Sequence, residues 1–111
     1  MEKWKYSLTI TKSGDEVTTG DCYLQAIEFK DRILKKEKDE DWKLSLSVCN
    51  HGDGGRNHLH GMYSGSLNAR EIQGLVRGGF STVRKFHPLW ISYVSDQRLG
   101  DDFTITRGVL L

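Results

Sequence analysis

Trp42, Leu44, Leu46 and Val48 alternate without a break with Lys43, Ser45, Ser47 and Cys49. That two-residue period predicts a strand with one apolar and one polar face. A strand of this kind is stable only with a partner along its edge and a cover over its apolar side, so the chain must supply both a sheet and something to pack on it. The same alternation sets Trp4, Tyr6, Leu8 and Ile10 against Lys5, Ser7, Thr9 and Thr11, predicting a first strand that ends at Lys12-Ser13-Gly14-Asp15. Val17-Thr18-Thr19 allows a short additional strand. Thr19 to Asp21 then offer capping residues for a helix reaching about Lys38. Its apolar stripe is read as Tyr23, Ile27 and Leu34 with Leu24, Ala26 and Ile33, leaving Lys30, Arg32, Lys35, Lys36 and Lys38 mostly solvated. The Lys35 to Glu40 charge run reads as a frayed helix end.

After the Trp42 strand, the glycines from Gly52 to Gly55 predict a turn into a third strand, His58 to about Tyr63, so the two strands form a hairpin with a polar loop. Ser64-Gly65-Ser66 breaks it. Asn68 followed by Glu71 has capping-box spacing, and Ile72, Leu75, Val76, Phe80 and Val83 recur at helical intervals, which predicts a second helix to about Lys85. Gly74, Gly78 and Gly79 each cost such a helix about 1 kcal/mol relative to alanine, so a close neighbour or tertiary packing must justify them. Pro88, the sole proline, ends that element. Leu89 to Val94 satisfies both a strand pattern and a short helix with Pro88 at its first position. Gln97 to Asp102 reads as a turn and Phe103-Thr104-Ile105-Thr106 as the last strand. The expectation is one α+β domain over residues 1–111: an antiparallel sheet with two flanking amphipathic helices and the His-Leu-His hairpin strand at its centre.

Composition narrows the function mainly by exclusion. The formal charge is +1, so no global basic field announces a nucleic-acid partner, and any such surface has to be a local cluster. No apolar run approaches the roughly 20 residues of a membrane span, and Met1-Glu2-Lys3-Trp4-Lys5 is not followed by the apolar block of a signal peptide. An intracellular location with no membrane partner is therefore expected. Cys22 and Cys49 are too few for a disulfide framework; Cys22 is expected to be a small buried hydrophobe. Trp42 and Trp90 are expected to fill the core.

Chemistry concentrates at the hairpin, where His51, His58 and His60, three of the four histidines, gather. His58 and His60 project from one strand face with Leu59 directed the other way. Two imidazoles with a third ligand from the neighbouring strand or loop, Cys49, His51 or Asp53, would make a metal site with open positions. The plain reading of the same residues is a polar strand face with a solvated loop histidine.

His58-Leu59-His60-Gly61, preceded by His51-Gly52-Asp53-Gly54, resembles the second motif of the HUH endonucleases, above all the replication initiators of small circular single-stranded DNA viruses and rolling-circle plasmids. Leu8-Thr9-Ile10-Thr11 resembles that family's first motif, a hydrophobic N-terminal strand with a threonine. Ser92-Tyr93-Val94-Ser95-Asp96-Gln97-Arg98-Leu99-Gly100-Asp101 resembles its third, a tyrosine near the domain's end. The resemblance implies nicking and joining of single-stranded or stem-loop DNA through a covalent tyrosine 5′-phosphate. Tyr93 would be the nucleophile, His58 and His60 the ligands of a divalent ion such as manganese or magnesium, and Thr9, Thr11, Arg56 and Arg98 neighbours of the DNA. It also admits the host nucleus as a location if the source is a eukaryotic virus. A phenol of pKa about 10 is a poor nucleophile at neutral pH, so either the phosphate or the hydroxyl must be activated.

The chain departs from the family pattern twice. Cys49 stands where the family usually has glutamate, and a thiolate suits zinc better than it suits magnesium or manganese. Asp96 stands where a lysine commonly follows the tyrosine, with Arg98 the nearest cation to replace it. Arg56, Arg70, Arg77, Arg84, Lys85 and Arg107 are further candidate phosphate neighbours. Two rival expectations keep the residues and change the function. One is a small viral, phage or plasmid protein binding nucleic acid or a host protein without nuclease activity; the other is a zinc-binding domain using Cys49, His51, His58 and His60.

Overall fold

The computed structural model describes residues 4–14, 16–50, 57–97, 103–106 and 109–110. Six strands and three helices follow in the order β1 (Tyr6–Lys12), α1 (Thr19–Lys36), β2 (Lys43–Cys49), β3 (His58–Ser64), α2 (Ala69–Gly74), β4 (Gly79–Lys85), α3 (Leu89–Gln97), β5 (Phe103–Thr106) and β6 (Val109–Leu110). The strands form one sheet in the order β4-β1-β3-β2-β5-β6, with antiparallel neighbours throughout. The α+β class, the antiparallel sheet and the inner position of the His-Leu-His strand agree with the expectation. Both β1 and β2 run antiparallel to β3, hence parallel to each other. The α1 crossover therefore joins two strands that leave a slot between them, and β3 fills it from the hairpin side.

Alternation sorts the two faces. Leu8 and Ile10 of β1, Leu44, Leu46 and Val48 of β2, and Leu59 and Tyr63 of β3 are buried in one core with Cys22, Ala26, Phe29 and Ile33 of α1. Those helix positions recur at intervals of four, three and four, the arc a helix presents to a flat sheet. Leu24, Ile27 and Leu34, read from the sequence as part of the buried stripe, lie outside that arc and are exposed. Cys22 is buried as expected. Instead of a short strand at Val17–Thr19, Thr18 caps α1: its hydroxyl accepts the Asp21 amide at 3.0 Å while the Asp21 carboxylate accepts the Thr18 amide at 3.0 Å.

The longest departure lies after Asn68. The Asn68–Glu71 capping box forms, yet the helix stops at Gly74 and the chain returns as β4. Gly78 turns it with φ +70°, a conformation glycine adopts without strain. Gly79 then lies so close to β1 that a Cβ there would stand 2.1 Å from the Thr11 carbonyl oxygen. Pairing along β1 from Lys12↔Gly79 to Tyr6↔Lys85 gives the β1 edge a partner for its peptide groups, which an α-helix over the same residues could not do. Leu89 to Gln97 resolves as a helix, and it covers the sheet face opposite α1. Among the described residues the helices thus flank both faces and number three, where the sequence pattern leads one to expect two.

At the end of α1 the C-cap residue Glu37 ties helix, β3 and the following loop together. Its carboxylate accepts hydrogen bonds from the hydroxyls of Tyr63 and Ser66 and from the amides of Ser66 at 2.9 Å and Asp39 at 3.0 Å. Burial pushes this carboxyl up, but the donors outweigh it, so its pKa lies below the ordinary value. Burial, and then the bond to Glu37, raises the Tyr63 phenol. The signs follow from linkage. The lowered carboxyl contributes stability that is full above the ordinary carboxylate pKa of about 4.3 and is lost as pH falls through the folded value. The raised phenol contributes stability that is full below about 10 and is lost as pH rises further. Glu37→Gln should therefore flatten the acid limb of a plot of denaturation midpoint against pH, starting at about pH 5 and continuing downward. An acid limb identical to that of the wild type would remove Glu37 from this role.

Candidate functional site

Because β1 and β2 both pair with β3, the register sets the polar row of each strand beside its neighbour. Thr9 lies opposite both His60 and Thr82, Ser47 opposite His60 on the other side, and Cys49 opposite His58. His58 and His60 point to the face away from α1, as their spacing predicts, and both are buried, at 4% and 3% exposure. Small neighbours on the flanking strands, Thr9 and Ser47, leave room for the rings on what would otherwise be an exposed sheet face.

The two imidazoles meet through their outer nitrogens: His58 Nε2 stands 2.9 Å from His60 Nε2, with ring centroids 4.4 Å apart and planes nearly perpendicular at 80°. Such a contact is either one N–H donating to the other ring's lone pair or two lone pairs turned toward a shared cation. Two zinc–nitrogen bonds of about 2.0–2.1 Å at the tetrahedral angle would hold the nitrogens roughly 3.3 Å apart, so a shared ion would require the rings to part by about 0.4 Å from this hydrogen-bond distance. The far nitrogen of His60, Nδ1, is 2.9 Å from Thr9 Oγ1. A proton on Nδ1 donated to that hydroxyl leaves Nε2 bare, the tautomer a ligand requires. Thr9, expected beside DNA, thus serves first to orient His60.

The third ligand is less complete. Among the described residues no group of three or more His, Cys, Asp or Glu side chains is arranged to hold a metal. Cys49 is fully buried and directly across from His58, and its thiol approaches the Ser47 carbonyl oxygen at 3.6 Å. The loop candidates His51 and Asp53, like Arg56, Arg98 and Arg107, lie outside the described residues.

Helix α3 closes the site from above. The Trp90 indole N–H donates to the Gly61 carbonyl oxygen at 2.8 Å, pinning the helix to β3 one residue beyond His60. The Trp90 ring stands edge-on to the His60 ring with centroids 4.9 Å apart. Tyr93, one helical turn on, stacks on Trp90 at 5.2 Å and lies 5.4 Å from the His60 ring. Tyr93 is thus on the histidine face of the sheet and 44% exposed, so its side chain is accessible beside the buried pair. Trp42 fills the core as expected, whereas Trp90 leaves the core to become a wall of the site.

An open cleft of about 570 Å³ joins these groups. Ser7, Thr9, His60 and Thr82 line it from the sheet, Trp90 and Tyr93 from α3, and Arg84, Lys85 and His87 from the end of β4 and the turn into α3. Its size falls within the range of small-ligand pockets. Arg84 and Lys85 were legible as candidate phosphate neighbours; Arg70 and Arg77 do not line the cleft, and neither does Thr11. His87 carried no signal beyond its being a histidine beside the proline.

Fold and cleft together define an antiparallel α+β domain in which a buried His60, bonded to Thr9 and to His58, lies beside an accessible tyrosine. No family model, curated protein or solved structure matches the chain. None of its helices among the described residues is long and apolar enough to cross a membrane.

Proposed function

We propose that the chain is a metal-dependent domain that nicks and rejoins single-stranded DNA through a covalent tyrosine phosphate, as in the initiation of rolling-circle replication. The observation that carries this reading is that His60 and Tyr93 line one cleft with their rings 5.4 Å apart, while His58 Nε2 stands 2.9 Å from His60 Nε2 beside it. The three residues come from β3 and α3, more than thirty positions apart in the sequence, and the resemblance assigns them linked roles.

In this mechanism the Tyr93 oxygen attacks a backbone phosphorus, a bond forms between Tyr93 Oη and the 5′-phosphate, and the bond from phosphorus to O3′ breaks. The phenol proton ends on the released 3′-hydroxyl. One phosphodiester is exchanged for another, so the reverse reaction rejoins the strand without an external energy source. A divalent ion held by His58 and His60 would supply Lewis-acid polarisation of the non-bridging oxygens. Thr9 holds the His60 ring in its tautomer and direction, and Trp90, fixed to Gly61, holds α3 so that Tyr93 stays beside that ring.

The direct test is incubation with labelled single strands and stem-loops in manganese, followed by denaturing electrophoresis. A protein-linked label supports the reading, and its absence over a broad oligonucleotide set removes it. The support given by Thr9 is separately measurable. Thr9→Val keeps the side-chain shape and removes the hydroxyl, and should weaken manganese binding by about 10–100-fold in titration calorimetry, the usual cost of losing a partner that orients a ligand. Unchanged affinity would show that His60 needs no such partner.

A further inference from the structure

Helix α3 carries Tyr93 but no lysine or arginine, and Asp96, where the resemblance leads one to expect a cation, does not line the cleft. Positive charge stands instead on the opposite wall. Arg84 and Lys85 close β4 and line the cleft with His87, while no aspartate or glutamate does. Arg84 lies opposite Ser7 in the ladder, on the same face as Thr9, Thr82 and His60. Two strand spacings and one step of alternation separate its Cα from that of His60 by roughly 12 Å. The side chains between, Ser7 and Thr9, are short, so the interval is open and an extended arginine together with a phosphate spans it. Among the described residues neither Arg84 nor Lys85 takes part in an ion pair. His87 adds a donor: its Nδ1 accepts the Leu89 amide at 3.1 Å, so the neutral ring carries its proton on Nε2.

We infer that Arg84 neutralises the reacting phosphate in this chain, the task the resemblance would give to a lysine on the tyrosine's helix. The DNA backbone then runs along the β4 edge, with the reacting phosphate between that edge and Tyr93. The inference rests on the nuclease reading for the fate of the phosphate, but the binding of the strand along β4 is measurable without it.

The experiment pairs two readouts on the full chain. Fluorescence anisotropy of a labelled mixed-sequence single strand over a series of salt concentrations gives the slope of log affinity against log salt. Arg84→Gln should reduce that slope by about 0.7, the value for one contact to a single strand. Arg70→Gln, an exposed change on α2 away from the cleft, should leave it unchanged. In the adduct assay Arg84→Gln should lower the yield more than tenfold, with partial rescue in Arg84→Lys, and Asp96→Asn should stay within twofold of the wild type. A slope unchanged in Arg84→Gln, or a wild-type chain that does not bind single strands at low salt, would overturn the inference. Binding with the expected slope change but no adduct on any oligonucleotide removes the nuclease reading and leaves the β4 wall in place.

Discussion

Tyr93→Phe should abolish the covalent protein–DNA adduct completely while leaving strand binding and the denaturation midpoint close to those of the wild type. Only one oxygen is removed. The ring that stacks on Trp90 at 5.2 Å and flanks His60 at 5.4 Å remains, so the packing of α3 on the sheet does not depend on the hydroxyl. Tyr93 is also 44% exposed, and no buried partner is orphaned by the change. A structural role for the tyrosine therefore predicts little effect, and a nucleophilic role predicts total loss, which makes the variant decisive. Adduct persisting in Tyr93→Phe would pass the reaction to another residue. His58→Ala and His60→Ala should also eliminate the adduct, but because both rings are buried these variants require a parallel measurement of folding.

The second large effect concerns stability. Gly61→Ala should lower the midpoint of chemical denaturation by an amount corresponding to about 1–3 kcal/mol, the range for overpacking a close-packed interior. A Cβ at Gly61 would stand 2.1 Å from the Ser45 carbonyl oxygen and 2.6 Å from Leu46 Cδ2. The first of these is backbone in the next strand and cannot move without separating β2 from β3. Gly74→Ala is the matched control. At the end of α2 the added methyl meets nothing within 4 Å, and the change should stabilise by up to about 1 kcal/mol through helix propensity. Equal effects at the two positions would mean that the approach of β2 to β3 is not what requires glycine at position 61.

How much of this was legible in the sequence depended on whether the deciding interaction was local. The strands bearing Leu8 and Leu46 were legible because each has its own alternation, the strand bearing Leu59 because a glycine-rich stretch precedes it, and the Asn68 cap because its partner is three residues away. The segment Gly79–Lys85 was not. Its apolar residues fit a helix, and what makes it a strand is the unpaired edge of β1, a partner more than sixty-five positions earlier at every pair. Leu89 to Val94 was ambiguous for a related reason. A helix seated on a polar sheet face shows aromatic contacts with an imidazole in place of a regular apolar stripe, so its own pattern could not place it. At the site, the shared face of His58 and His60 followed from spacing alone. The Thr9–His60 bond, the position of Tyr93 and the charge on the β4 wall all depend on register and helix placement, which no local window contains. Resemblance supplied Thr9 and Tyr93, and the fold brings both to the His60 ring, with Thr9 in a role other than the one expected.

Strand β3 is hydrogen-bonded along both edges, by β1 and by β2, and its histidines sit in the middle of the ladder. Helix α3 is fastened to β3 by a side-chain hydrogen bond from Trp90 and by ring contacts, and much of its outward surface, at Leu89 and Ile91, is exposed. The two halves of the site are therefore held by different kinds of contact: the imidazole pair by two backbone ladders, the tyrosine by side-chain contacts of α3 that include the buried Val94. Displacement of α3, and of Tyr93 with it, would leave the ladders that hold the pair of rings intact.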